Sequence, residues 1–214
     1  MNRRRLLMTA GVDTLTSGLI FHAPLLNDLT DRISGLIMTV AHGYVTPAAG
    51  GAIFEDGRLA LQGIELPIGS DPCTLAIRVA PSAWGVGGAG TGYCDFFGYG
   101  QPQEGQARLI AANLEQLCGH LYARDYDADF RWRVNSVYWV HCAVTISAEG
   151  VAVYANGVLL GVSDIVPETT PGELTIGGCF YDVSQAYMSG LVKDARVYNR
   201  VLTSEEIELL AKSE

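Results

Sequence analysis

The stretch RDYDADFRWRVNS places Asp125, Asp127 and Asp129 at alternate positions. Paired carboxylates serve as acid and nucleophile in glycoside hydrolysis, where a retaining enzyme holds them about 5–5.5 Å apart across the bond. Three aspartates of equal side-chain length on one segment suit that pair poorly. They also match the first three ligand positions of an EF-hand loop, but Phe130 stands where the loop needs glycine and Ser136 where it needs glutamate. An EF-hand is therefore excluded, while a turn that gathers a cation from carboxylates and carbonyls stays open. The plainest reading is a strand, with Asp125, Asp127, Asp129, Arg131 and Arg133 on one side and Tyr126, Ala128, Phe130, Trp132 and Val134 on the other. Acids and arginines then balance one another on a wet face.

Other reactive patterns fall away on context. WGVGGAGTG carries Gly85, Gly87 and Gly90 at the spacing of a dinucleotide loop. The following YCDFFGYG reads as a strand, whereas that loop must open a helix whose amino end faces the pyrophosphate. His22, His42, His120 and His141 form no ligand pair at strand or helix spacing, and no Gly-x-Ser-x-Gly elbow occurs. His141 shares a face with Trp139 and Ala143, the setting of a hydrogen-bonded structural histidine. The cysteines, Cys73, Cys94, Cys118, Cys142 and Cys179, are odd in number and contain no C-x-x-C, so at least one is free or pairs between chains. Cys142 alternates with Val140, Val144 and Ile146 and reads as a small buried hydrophobe.

Sugar recognition asks for aromatic faces against the apolar side of a pyranose, with planar polar groups for its hydroxyls. Trp84, Tyr93, Tyr99, Trp132, Tyr181 and Tyr187 are the candidates, since they lie in or beside loop-like, glycine-rich or charged stretches, with Asp125 and Asp127 as polar partners.

The elements that must position these residues are short apolar runs between turn signals, from GLIFHAPL near the start to YMSGLVKDARVY near the end. With no helical segment between them, they predict an all-β, two-sheet antiparallel sandwich. In VAVYANGVLLGV, Asn156 and Gly157 supply the positive φ angles of a type I′ hairpin. LTSEEIELLAK predicts a short C-terminal helix, with Thr203 and Glu206 as a capping box and Leu202 and Ile207 as a hydrophobic staple.

The whole-chain numbers bound the partners. A chain of 214 residues suits one β-sandwich, and a net charge of −9 argues against nucleic acid, whose phosphates attract lysine and arginine. No run approaches the ~20 apolar residues of a membrane span. The start, MNRRRLLMTAG, is basic like a secretory signal, but Asp13 interrupts its apolar run, so no cleaved signal is expected. Residues 1–17 read as a basic arm in which Arg3, Arg4 and Arg5 could dock on a neighbouring subunit, and residues 18–214 read as the folded domain.

Four segments, in this order, resemble the laminin G-like jelly-roll branch of the concanavalin A-like lectin/glucanase superfamily: GLIFHAPLLNDLTDRISG, IELPIGSDPCTLAIRVAP, VYWVHCAVTISAEGVAVYANGVLLG and LTIGGCFYDVSQAYMSGLVKDARVYNRVLTSEEIELL. The resemblance spans Gly18 to Leu210; Trp139 and His141 stand one residue apart where the family has them adjacent, and Ala80 replaces a commoner lysine. It implies two stacked antiparallel sheets, one curved enough to leave a concave face. Catalytic members carry two glutamates around an aspartate on one strand, a pattern missing from this sequence. The resemblance also implies a structural Ca²⁺ where the first and last strands meet, with Asp28, Asp31 and Asp194 as ligands, against the alternative that Asp28 and Asp31 only form Asx turns. No other cofactor is implied. The expected function is a non-catalytic binding module for glycans or neighbouring subunits, on an extracellular or particle surface. The alternative is a virion structural protein, a capsid decoration or tail component that assembles as a homo-oligomer through its arm; a glycosidase ranks third.

Overall fold

Apolar alternation becomes extended chain wherever two layers can share it. In the computed structural model, residues 15–83, 93–101, 103–113, 116–120, 125–131, 138–178 and 187–213 are described. The strands are β1 (Leu19–Ala23), β2 (Thr39–Thr46), β3 (Ala52–Leu61), β4 (Cys73–Ala83), β5 (Tyr93–Gly100), β6 (Ala107–Asn113) and β7 (Gln116–His120). They continue as β8 (Asp125–Arg131), β9 (Val140–Ser147), β10 (Gly150–Ala155), β11 (Val158–Ser163), β12 (Leu174–Ile176) and β13 (Met188–Tyr198), and helix α1 (Ser204–Lys212) follows. All pairings are antiparallel and run β11-β10-β9-β4-β13-β3-β12-β5-β6-β7-β8, with β1 on β13 and β2 on β3.

Strand β13 is where this path doubles over. Its first half bonds to both β3 and β4, and its second half to β4 and β1. Two irregularities bend it. Gly190 sits at φ +138°, where a Cβ would come within 2.5 Å of the Ala80 carbonyl oxygen, and Asp194 takes left-handed backbone at φ 56° where the register slips. The result is one sheet of β1, β13, β4, β9, β10 and β11, here called sheet I, stacked on a sheet II of β2, β3, β12, β5, β6, β7 and β8.

The slab between them is apolar from both sides. Leu75, Ile77, Val144 and Val197 of sheet I and Phe54, Leu59, Ile110 and Ile176 of sheet II are buried in one cluster, and the rings of Phe21 and Phe97 meet across it with centroids 5.9 Å apart. Each such side chain contributes about 1.5–3 kcal/mol. Cys142 lies in this slab as a free, fully buried thiol, as its alternation predicts. Arg108 is the unexpected core member. Fully buried, it donates from Nε to Thr169 Oγ1 (2.6 Å), from Nη1 to the Asp71 carbonyl (2.9 Å) and from Nη2 to that of Gly69 (2.7 Å), lacing two loops to β6.

The outer face of sheet I is closed by α1. Ile207 and Leu210 of the helix, with Leu202 just before it, pack on Ala76, Ala143, Tyr154 and Tyr198. The capping box forms as the sequence predicts: Thr203 Oγ1 accepts from the Glu206 amide and the Glu206 carboxylate accepts from the Thr203 amide. The predicted hairpin joins β10 to β11, with Asn156 at φ 50° and Gly157 at φ 82°.

β2 and β3 stay paired from Thr39–Ala60 to Thr46–Ile53 across register shifts at His42. The DYDADFR segment is a strand, as expected, at the far end of sheet II.

Candidate functional site

With the helix on sheet I, the outward face of sheet II is a candidate ligand surface among the described residues. Period two decides what it shows. Leu59 and Leu61 of β3 point into the slab, so Arg58, Ala60 and Gln62 point outward, and on β12 the same alternation turns Thr175 and, just before the strand, Glu173 outward. Register brings them side by side, with Thr39 opposite Ala60 and Ala60 opposite Thr175. Arg58 Nη1 lies 3.3 Å from one oxygen of Glu173 and Gln62 Nε2 donates to the other at 3.3 Å. Planar guanidinium, carboxylate and amide thus form one row of donors and acceptors.

An apolar ledge borders that row. Leu36, Ile37, Thr39, Ala60, Leu61, Gln62 and Glu173 line an open cleft of about 390 Å³, and Ile37 is 70% exposed. Beyond Arg58, the rings of His42 and Tyr187 stack with centroids 3.8 Å apart and 14° between planes, and His42 Nε2 lies 3.5 Å from an Asp56 oxygen. Asp95 joins the same face further along, buried and opposite Ala111 of β6.

The sequence-predicted ligand residues scatter. Tyr99 is not a platform: its ring is buried in the slab, its hydroxyl donates to the Pro67 carbonyl at 2.8 Å, and burial raises the phenol well above its ordinary pKa. Its glycine-rich surroundings suggested an exposed ring, whereas the tyrosine falls on an inward position of β5. Tyr187 does reach the open face, but it is largely buried and His42 covers one side of its ring. Asp125 and Asp127 lie on β8, opposite His120 and Cys118, at the other end of sheet II from the β2–β3 cleft. Their side chains, and that of Tyr93 at the start of β5, lie outside the described residues, as do Trp84, Trp132, Tyr181 and the arm residues Arg3, Arg4 and Arg5. Sequence reasoning missed Arg58, Gln62 and Glu173, although the alternation of GRLALQG already sets Arg58 and Gln62 opposite two leucines.

The expected calcium ligands meet protein donors instead. Asp31, fully buried, accepts from the amides of His22 (2.8 Å), Ile33 (3.1 Å) and Ser34 (3.0 Å) and from the Ser34 hydroxyl (2.5 Å). Asp28 forms the Asx turn with the Thr30 amide at 2.9 Å and pairs with Arg32. Asp194 accepts from His22 Nε2–H at 2.9 Å and Arg196 Nε–H at 2.7 Å, with Arg78 Nε 3.8 Å away. Burial pushes its carboxyl up, but the His22 hydrogen bond and the Arg196 charge outweigh that and hold it well below the usual carboxylate range. Ca²⁺ asks for six to eight oxygens. These three carboxylates do not fit it, and no cluster of three or more His, Cys, Asp or Glu suited to a metal occurs among the described residues.

Arg78 extends the same network to the helix, donating from Nη2 to the carbonyls of Leu210 (2.9 Å), Ala211 (2.9 Å) and Ser213 (2.5 Å). A cation there satisfies the orphan carbonyls and the negative end of the helix dipole. His141 lies nearby, 1% exposed, and neither ring nitrogen has a hydrogen-bond partner among the described residues. The expected hydrogen-bonded histidine is thus a buried, neutral one, pushed down to about 3 by burial and then by the Arg78 charge, with an opposing pull from Asp194 and a smaller push from Arg196.

A family model described as the concanavalin A-like lectin/glucanases superfamily matches residues 74–208, more than half of the chain. No curated protein sequence matches it. Among solved structures, domain 4 of AbnA, an extracellular arabinanase of Geobacillus stearothermophilus solved with arabinotriose, is similar at a TM-score of 0.70 and 19% identity, covering 92% of this chain and 99% of that one. A Trypanosoma rangeli sialidase is similar at 0.64 and 17% identity, over 91% of this chain and 32% of the sialidase. The binding domain of botulinum neurotoxin serotype D gives 0.66 and 13%, over 94% and 52%. At these identities the likeness is one of fold.

Proposed function

Since the chain belongs to the concanavalin A-like lectin/glucanases superfamily, we propose that it is a non-catalytic glycan-binding module whose ligand lies on the open face of sheet II. The observation that carries this reading is the exposed Leu36–Ile37 ledge running beside the Arg58–Glu173–Gln62 row. A pyranose or furanose has an apolar face and a rim of hydroxyls, and a ledge beside planar donors and acceptors serves both at once. Such a module acts outside a cell or on a particle, and the arabinanase domain solved with arabinotriose suggests a first ligand to try. Glu173 is already engaged by Arg58 and Gln62, which suits a hydrogen-bonding role better than proton transfer.

A glycan array followed by calorimetry with arabinotriose tests it, with reducing-end release measured in parallel. Saturable binding, weakened at least about tenfold by Glu173→Ala and without product release, is the expected result; tenfold corresponds to about 1.4 kcal/mol. Hydrolysis, or binding that ignores the substitution, would refute the reading.

One observation supports the alternative of a virion or other particle component. The edge strand β11 exposes Val158 and Val162, at 63% and 66%, as a self-pairing edge would. Light scattering decides it: a monomer at micromolar concentration counts against assembly through this edge.

A further inference from the structure

A second cleft lies on the opposite side of the molecule, on the outer face of sheet I near the end of α1. His22, Pro24, Leu26, Arg78, Lys193, Asp194 and Arg196 line about 230 Å³ there. Its charge is the reverse of the protein's. The chain carries −9, and the three other described clefts are lined by Glu65, Asp71 or Glu173 with no lysine or arginine. This one gathers three permanent cations around a single carboxylate.

The fold answers those cations unequally. Asp194 neutralises Arg196 directly, at 2.7 Å. Arg78 shares that carboxylate at 3.8 Å through Nε and gives its Nη2 to the helix carbonyls. Lys193 Nζ sits 4.6 Å from the centroid of the Trp139 ring, a cation–π contact, and has no anionic partner among the described residues. His141, paired with Arg78 across β4 and β9, has its imidazole depressed first by burial and only then by the Arg78 charge. Pro24 and Leu26 add a short apolar wall, with Leu26 36% exposed.

We propose that this cleft binds the carboxylate of an acidic sugar, with Lys193 as its principal charge and the Pro24–Leu26 wall against the ring. The inference goes beyond the open-face reading, since it concerns the other sheet and an anionic instead of a neutral ligand.

The test is NMR titration of the ¹⁵N-labelled full chain with sodium glucuronate, sodium acetate and glucose. Glucuronate should give saturable shifts at His22, Lys193 and Arg196, tighter than acetate, and glucose should give none at these residues. Lys193→Gln should weaken glucuronate at least about fivefold, and Leu26→Ser should weaken glucuronate while leaving acetate unchanged. Equal affinity for acetate and glucuronate would show a bare anion site and overturn the sugar assignment. Shifts that stay linear, or that survive Lys193→Gln, would overturn the site itself. Loss of the arabinotriose interaction alone would leave this proposal standing, because the two faces are read by different resonances.

Discussion

The two outward faces of the sandwich are built on the same pleat and finished in opposite ways. On sheet I, α1 covers the apolar outward residues, and a chain from His22 through Asp194, Arg196 and Arg78 ties the far end of the helix to the strands. On sheet II the polar residues pair with one another beside an exposed ledge. The difference lies in what the polar groups are tied to: on sheet I they reach the end of the helix and hold Asp194 well below the usual carboxylate range, whereas on sheet II Arg58, Gln62 and Glu173 bond one another beside an exposed ledge.

Substitutions should break the comparison in a fixed order. Asp194→Asn leaves Arg196 and Arg78 facing each other without their shared anion, and should destabilise the fold by about 2–3 kcal/mol in urea unfolding. Acid acts on the same face. With His141 held neutral, its folded pKa near 3 lies below the ordinary 6.5, so its contribution is complete above pH 6.5 and is lost as pH falls toward 3. Stability should decline by about 2 kcal/mol from pH 6.5 to roughly 4.5, and His141→Leu should flatten that slope. Asp194, also depressed, adds its loss only below about pH 4, in the same direction.

On the open face, Glu173→Ala should cost under about 1 kcal/mol of stability, because its pairs are partly solvated. The smallest effect is expected from metal. Replacing millimolar Ca²⁺ with chelator should move the melting temperature by less than about 1 °C, since Asp28, Asp31 and Asp194 are already filled by protein donors.

Local rules made much of this legible in the sequence. Asn156-Gly157, the Thr203–Glu206 box and the alternation around Cys142 each carry their own stereochemistry, so the hairpin, the helix cap and the inner strand could be read without knowing the fold. The site was harder because it is assembled across strands distant in the chain. Arg58 and Glu173 lie 115 residues apart and meet only through the pairing of β3 with β12. Tyr99 misled because the glycines beside it suggested an exposed ring, while the side-chain direction that buries it on its strand is set by a bulge between Asp95 and Phe97. The first and last strands do pair, β1 on β13, but there Asp31 and Asp194 converge on His22, one at its backbone amide and the other at its ring, while Asp28 bonds Thr30 and Arg32.

Calorimetric titration of the full chain with arabinotriose and with the best ligand of a neutral glycan array, for the native protein and Glu173→Ala, tests the central claim most directly. Binding by the native chain, reduced at least about tenfold in a variant whose urea midpoint is nearly unchanged, is the predicted result. No binding to any arrayed glycan, or equal binding by both proteins, would contradict the assignment of the open face of sheet II as a glycan site.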